Sequence, residues 1–422
     1  MYKTTILKNG IRVITHKVKS VKSSAVGVWV STGGRFESLQ KAGISHFMEH
    51  MLFKGTKSRS ATKVKEDIEG IGGLLNGFTD EEATCYLTKV VSKHLNKSLD
   101  VLSDMAQNAL FLEEDIEKER SVILEEIRMY EDIPMHHVHE LICELLWPGQ
   151  PLGMPLSGTK DTVKGITKSD LLALRDSYYT GRNIAVACAG DVDHADFVKQ
   201  VETKFKKINS GEKSRFKKAI VSQQKPQVKF QNKDTQQTHI ALGLHGLERN
   251  HPDRYAFSLL NIVLGANMSS RLFKELREKR GLVYEVSSYL RLLSDTGAFL
   301  VNAGLEHKKL PVVIELILKE LKTARKELVR KDELDRAKEY YAGNLLLSME
   351  DTLDYMIWLG QKLITDDKIY TPDEILKKVR KVNLDDLKRV ANDYFKDSNL
   401  NLALVGPIKD QDKSKLESLL SI

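Results

Sequence analysis

The segment Gly43–Gly55, GISHFMEHMLFKG, carries two histidines and a glutamate spaced for one helical face. In a helix His46 and His50 lie four residues apart and Glu49 three from His46, so the three head groups converge. The remaining positions (Ile44, Phe47, Met48, Met51, Leu52 and Phe53) are apolar on nearly every side, which marks a buried helix. Burying two imidazoles and a carboxylate there is costly unless something satisfies them. A divalent metal held by two neutral imidazoles would do so, leaving Glu49 poised beside a water. A lone histidine would more simply be a hydrogen-bonded core residue. HxxEH on an apolar helix favours the metal.

Such a site needs a third protein ligand and an open position. The helical pattern Glu114–Tyr130 offers Glu119, Val122, Ile123 and Glu126 at i, i+3, i+4 and i+7, a single stripe predicted to face the core. Glu126 is the third ligand by this periodicity, and Glu119 a carboxylate able to orient a ligand histidine. Glu125 lies about 100° round from Glu126 and is expected in solvent. His136, His137 and His139 also resemble a metal cluster, but they follow Pro134 in what reads as a polar, solvated stretch.

Strand and helix signals alternate along the chain that must position these groups. Strands are expected at Ile11–His16, Ser24–Ser31, Ala83–Val90 and Asn183–Ala189, and helices from Ile44, at Leu95–Ala109, Glu114–Tyr130 and Leu171–Tyr178. A similar order recurs: strands at Thr238–His245, Gly297–Ala303 and Asn401–Val405, helices at Tyr255–Leu264, Pro311–Leu328, Lys331–Leu347 and Leu384–Tyr394. This predicts an α+β fold of two homologous domains, each a mainly antiparallel sheet flanked by helices. The expected division is 1–208, a basic linker at 209–230, and 231–422. A length of 422 residues agrees with two cores.

With 41% hydrophobic and 29% charged residues, the composition is that of an ordinary globular protein. The net charge of +7 is partly concentrated between Lys204 and Lys229, reads as a solvated linker, and comes with no nucleic-acid motif. No run approaches the ~18 apolar residues of a membrane span. Three scattered cysteines without a CxxC pair suggest reduced thiols. The opening residues, MYKTTILKNGIRV, enter a strand-like pattern with no leader signature. A cytoplasmic protein with neither nucleic-acid nor membrane partners is expected.

HFMEH with Glu119 and Glu126 at this downstream distance resembles the pitrilysin/insulinase/processing-peptidase family of inverted zincins, known by H-x-x-E-H. The resemblance covers essentially the whole chain. GGLLNGFT at Gly72–Thr79 is similar to that family's substrate-receiving edge strand. PGQPLGMPLSGT at Pro148–Thr159 looks like its loop after the ligand helices, although Gln150 stands where a histidine is common. SRLFKELREKRGLVYEVSSY at Ser270–Tyr289 resembles its Arg/Tyr substrate-binding motif, which falls on Arg277 and Tyr284. The second half has no HxxEH in the corresponding YAFSLLNIVL, so it is expected to hold substrate and not metal.

The resemblance implies a zinc endopeptidase with one Zn²⁺ per chain on His46, His50 and Glu126, and Glu49 as general base. It places Asn76, the backbone around Phe78, Arg277 and Tyr284 on the peptide substrate. It also implies a homodimer enclosing a chamber that admits short or unfolded peptides, with Arg277 and Tyr284 serving the partner's zinc. The alternatives are a catalytic or non-catalytic subunit of a heterodimeric processing peptidase, or an inert scaffold member.

Overall fold

In a computed structural model the chain forms two mixed, mainly antiparallel sheets that repeat one strand order. The structure describes residues 2–366, 368–409 and 412–422, so residue 1 of the first expected domain and residues 367, 410 and 411 of the second lie outside it. The first sheet contains β1 (Lys3–Ile6), β2 (Arg12–Lys17), β3 (Ser23–Val30), β4 (Leu74–Thr79), β5 (Thr84–Val91) and β6 (Ile184–Gly190), in the order β1-β2-β6-β3-β5-β4. The second contains β7 (Gln227–Asn232), β8 (Thr238–Gly246), β9 (Val283–Leu292), β10 (Gly297–Leu305) and β11 (Asn401–Gly406), in the order β7-β11-β8-β10-β9. Aligning β2 with β7 and β6 with β11 superimposes the two orders, including the parallel pair each contains. The fold is α+β and duplicated, as the order of the elements predicts.

The helices that matter for the site are α1 (Ile44–Leu52), α2 (Ala61–Glu69), α3 (Leu95–Asn108), α4 (Glu113–Asp132) and α5 (Pro134–Leu146). Alternation along each strand sends side chains to both faces of the first sheet. On one face Val13, Val26, Val28, Val30 and Val186 pack with Phe47 and Met48 of α1, Leu99 and Leu102 of α3, and Ile123 of α4. On the other, Ile14, Ala25, Trp29, Cys85 and Ala187 pack with Tyr355, Met356 and Leu359 of the helix Thr352–Thr365. That helix meets Trp29 through Gly360, where a Cβ would lie 1.9 Å from the indole Nε1. Each fully buried aliphatic side chain here contributes about 1.5–3 kcal/mol.

The chain folds as two compact units, and the helices do not follow sequence order between them. Residues 346–371, with the helix Thr352–Thr365, complete the first unit, while 128–153, with α5, belong to the second. Val138, Leu141, Ile142 and Leu146 of α5 cover Ala241, Ala298, Leu300, Ala403 and Val405 of the second sheet. This corrects the polar reading of the stretch after Pro134. It is an amphipathic helix, with Pro134 in its first turn, where a missing N–H costs nothing. His136 is exposed, whereas His137 pairs with Glu140 at 2.9 Å and His139 with the Tyr289 hydroxyl at 2.8 Å. No helix among the described residues is long and apolar enough to cross a membrane.

Candidate metal centre

Helix α1 enters the first core on Ile44, Phe47, Met48, Met51 and Leu52, all buried, and leaves His46, Glu49 and His50 partly open. Facing it, α4 buries Ile116, Glu119, Ile123 and Ile127. The predicted stripe is corrected at one position: Val122 is 49% exposed. The buried line runs through Ile116, Glu119, Ile123 and Ile127, and Glu126 flanks it with its carboxylate turned toward α1. Glu125 is exposed.

The Nε2 atoms of His46 and His50 each lie 3.7 Å from Oε2 of Glu126. Ligand atoms of these three residues all fall within 4.8 Å of one another, and no other group of three His, Cys, Asp or Glu among the described residues does so. Separations of 3.7 Å are too long for hydrogen bonds and close to the ~3.3 Å between neighbouring ligands of a tetrahedral zinc. The three groups therefore face a common point instead of satisfying each other. Nδ1 of His46 is buried without a hydrogen-bond partner among the described residues, and Nε2 is the ring nitrogen that faces the common point. Burial, then the neighbouring His50, pushes His46 down to about 4, which keeps it in the neutral form that binds metal. These residues fit a divalent cation.

Around the cluster, Glu119 Oε2 lies 3.0 Å from Nδ1 of His50, and Lys54 forms an ion pair with the other oxygen of Glu119. Burial favours neutral Glu119, but its bonds to His50 and Lys54 outweigh this and hold it below the usual carboxylate range. Burial likewise opposes charge on His50, while the Glu119 bond and the Glu49, Glu119 and Glu126 carboxylates raise it. An anionic Glu119 fixes Nδ1–H on His50 and frees Nε2 to ligate. Glu119→Gln is expected to weaken zinc binding about 10–100-fold, measured by chelator competition.

Glu49 accepts a hydrogen bond from Thr79 Oγ1 at 2.8 Å. Burial raises the Glu49 carboxyl, the Thr79 and His50 contacts pull it back, and Glu126 adds to the rise. Thr79 ends β4, an edge strand of the first sheet. Thr79 is legible in the sequence through strand parity. Leu75 packs into the α1 core and Gly77 against Phe53, so Thr79 shares that face. Asn76 and Phe78 face the other way: the Phe78 ring meets Trp29 edge-on with centroids 5.5 Å apart, and Asn76 Oδ1 accepts from the Gly77 N–H. The half-buried Phe78 ring is thus turned away from the α1 face.

Arg277 and Tyr284 belong to the second unit, where they are brought together. The Arg277 guanidinium lies 5.0 Å from the ring centroids of both Phe273 and Tyr284, on a π-helical turn, Phe273–Glu278. Tyr284 is 75% exposed. Phe273 is thus a second aromatic contact of the arginine.

Residues 12–160 match the insulinase (peptidase family M16) model and residues 165–341 the peptidase M16 inactive-domain model. A protein of Bacillus subtilis named as the uncharacterized zinc protease YmxG is 37% identical over 411 residues, covering 96% of this chain and 98% of that one. An uncharacterized zinc protease of Rickettsia felis is 38% identical over 405 residues, covering 95% and 96%. Among solved structures, a protease from Helicobacter pylori aligns with a TM-score of 0.91 at 25% identity, over 96% of this chain and 99% of that chain.

Proposed function

Because the chain belongs to the insulinase family of peptidases, M16, we propose that it is a zinc endopeptidase acting on short or unfolded peptides. The observation that carries this reading is the convergence of His46, His50 and Glu126 beside a Glu49 braced by Thr79. One Zn²⁺ per chain would be held by the three converging side chains, within the half 1–208, with 231–422 holding substrate. When bound, zinc supplies Lewis acidity that acidifies a water toward neutrality and polarises a peptide carbonyl.

Glu49 accepts the proton of the attacking water and delivers it to the leaving amine. Its raised proton affinity suits it to both transfers. As an edge strand, β4 offers unpaired N–H and C=O groups to an extended peptide, a mode that gives affinity with loose sequence preference. Asn76 and the Phe78 backbone contribute along that edge. Arg277, already in contact with the Phe273 and Tyr284 rings, donates to substrate carbonyls with little ordering cost. Arg277→Ala is expected to lower kcat/KM about 10–100-fold with zinc content unchanged, the loss of one charge-assisted hydrogen bond. We assign the working form to a cytoplasmic homodimer enclosing a chamber, with Arg277 and Tyr284 of each protomer serving the partner's site.

The test is a quenched, unstructured peptide of about 10–20 residues, a length suited to strand addition. Cleavage stopped by chelation and restored by zinc is the expected result. Zinc binding without cleavage would replace this reading with the subunit of a heterodimeric peptidase, and weighing the purified oligomer would check it. Efficient digestion of a tightly folded protein would overturn the chamber.

A further inference from the structure

Helix α1 starts without a cap of its own. Gly43 occupies the N-cap position at φ 91°, where a Cβ would meet Ser157 O at 2.5 Å, so no Ser, Asp or Thr can stand there. The first N–H groups of a helix sunk in a core must still be satisfied. Glu37 does this from six residues upstream: Oε2 accepts from Gly43 N and Oε1 from Ser45 N, both at 2.7 Å. Ser45 directly precedes His46. Glu37 is itself buried, which pushes its carboxyl up to about 7 against the pull of the Ser45 and Gly43 N–H groups.

The same loop, Ser31–Glu37, grips the other wall of the site. Gly34 N donates to Asp80 O at 3.2 Å and Arg35 N to Glu81 O at 3.0 Å. Gly33 lies so close that a Cβ would stand 2.1 Å from Asp80 O. The Arg35 guanidinium pairs with Glu82, both almost fully buried, and lies 3.6 Å from the centroid of the Phe216 ring. Asp80 Oδ1 then accepts from Glu82 N and Ala83 N, closing the turn between β4 and β5. Thr79, which holds Glu49, immediately precedes that turn.

Two buried ionisable side chains in one short loop, each bound to a different wall, are a costly means of merely holding a loop, since apolar residues of similar volume often serve as well. We propose that Glu37 and the Arg35–Glu82 pair are positioning residues that fix the offset between edge strand β4 and helix α1, and with it the placement of a β4-bound peptide against His46, Glu49 and His50. The β4 half of this inference rests on the peptidase reading above. The α1 half rests on the metal cluster alone.

Glu37→Gln keeps shape but presents an NH₂ to one of the two backbone N–H groups. It is expected to weaken zinc binding about 10-fold or more, in the range of outer-sphere partners of metal ligands. At saturating zinc it should lower kcat with KM unchanged. The double variant Arg35→Met/Glu82→Leu removes both charges and leaves neither orphaned, so it is expected to fold. It should keep wild-type zinc affinity and raise KM several-fold. Zinc affinity is read by titration with the metal alone, so the α1 half is decided even if the wild type cleaves nothing. A wild type without cleavage overturns the β4 half. Folded variants with zinc affinity, kcat and KM all within twofold of wild type would show a structural role only and overturn the proposal. If Glu37→Gln does not fold, an unchanged KM in the double variant is enough to reject it.

Discussion

Glu49→Gln is expected to fold, to bind zinc as tightly as wild type, and to lose about 10²–10⁴-fold in kcat, the range of a positioned acid–base group. Glutamine has the same shape and can still accept the Thr79 hydroxyl hydrogen bond through its carbonyl oxygen, so the packing of β4 against α1 survives. What disappears is the proton acceptor. Glu49 is not among the three side chains whose ligand atoms converge, so metal content should not change. Zinc measured on the purified variant, alongside its rate on a quenched peptide, separates the two roles. Loss of zinc together with activity would make Glu49 a ligand or a structural strut, and full activity would remove it from the chemistry.

The His46–His50 helix is legible in sequence because polar groups at i, i+3 and i+4 interrupt a segment that is otherwise apolar all round, a conflict only a partner resolves. Duplication of the sheet is legible too, since the strands recur in order. Helix phase finds Glu119 and Glu126, but it puts Val122 in the core because a four-residue stripe does not say where the buried face ends. α5 and the helix Thr352–Thr365 show a different limit. An amphipathic pattern reveals that a helix has an apolar face, not which sheet covers it, and these two are exchanged between the units. Glu37 was out of reach for a related reason, whereas strand parity does place Thr79 on the α1 face. Glu37 acts through a loop closing back on a helix end, a hydrogen-bonding geometry that no local periodicity encodes.

Glu126→Gln against Glu125→Gln tests the helix-phase argument with the second large effect. Structural zinc sites gain about 10–16 kcal/mol in all, so one ligand of four is worth ~3 kcal/mol, or about 100-fold in affinity. A neutral amide is a poor substitute for a carboxylate on zinc. Glu126→Gln should therefore lose zinc by about that factor and lose activity at limiting metal, with partial recovery as zinc is raised. Glu125 is exposed, about 100° round α4 from its neighbour, and its amide should leave zinc affinity and rate unchanged. The comparison is demanding because the two variants are isosteric, adjacent and equal in charge. Equal losses would mean that the charge of α4 acts at long range and not through a ligand, and a reversed order would mean that the register of α4 against α1 is wrong by one residue.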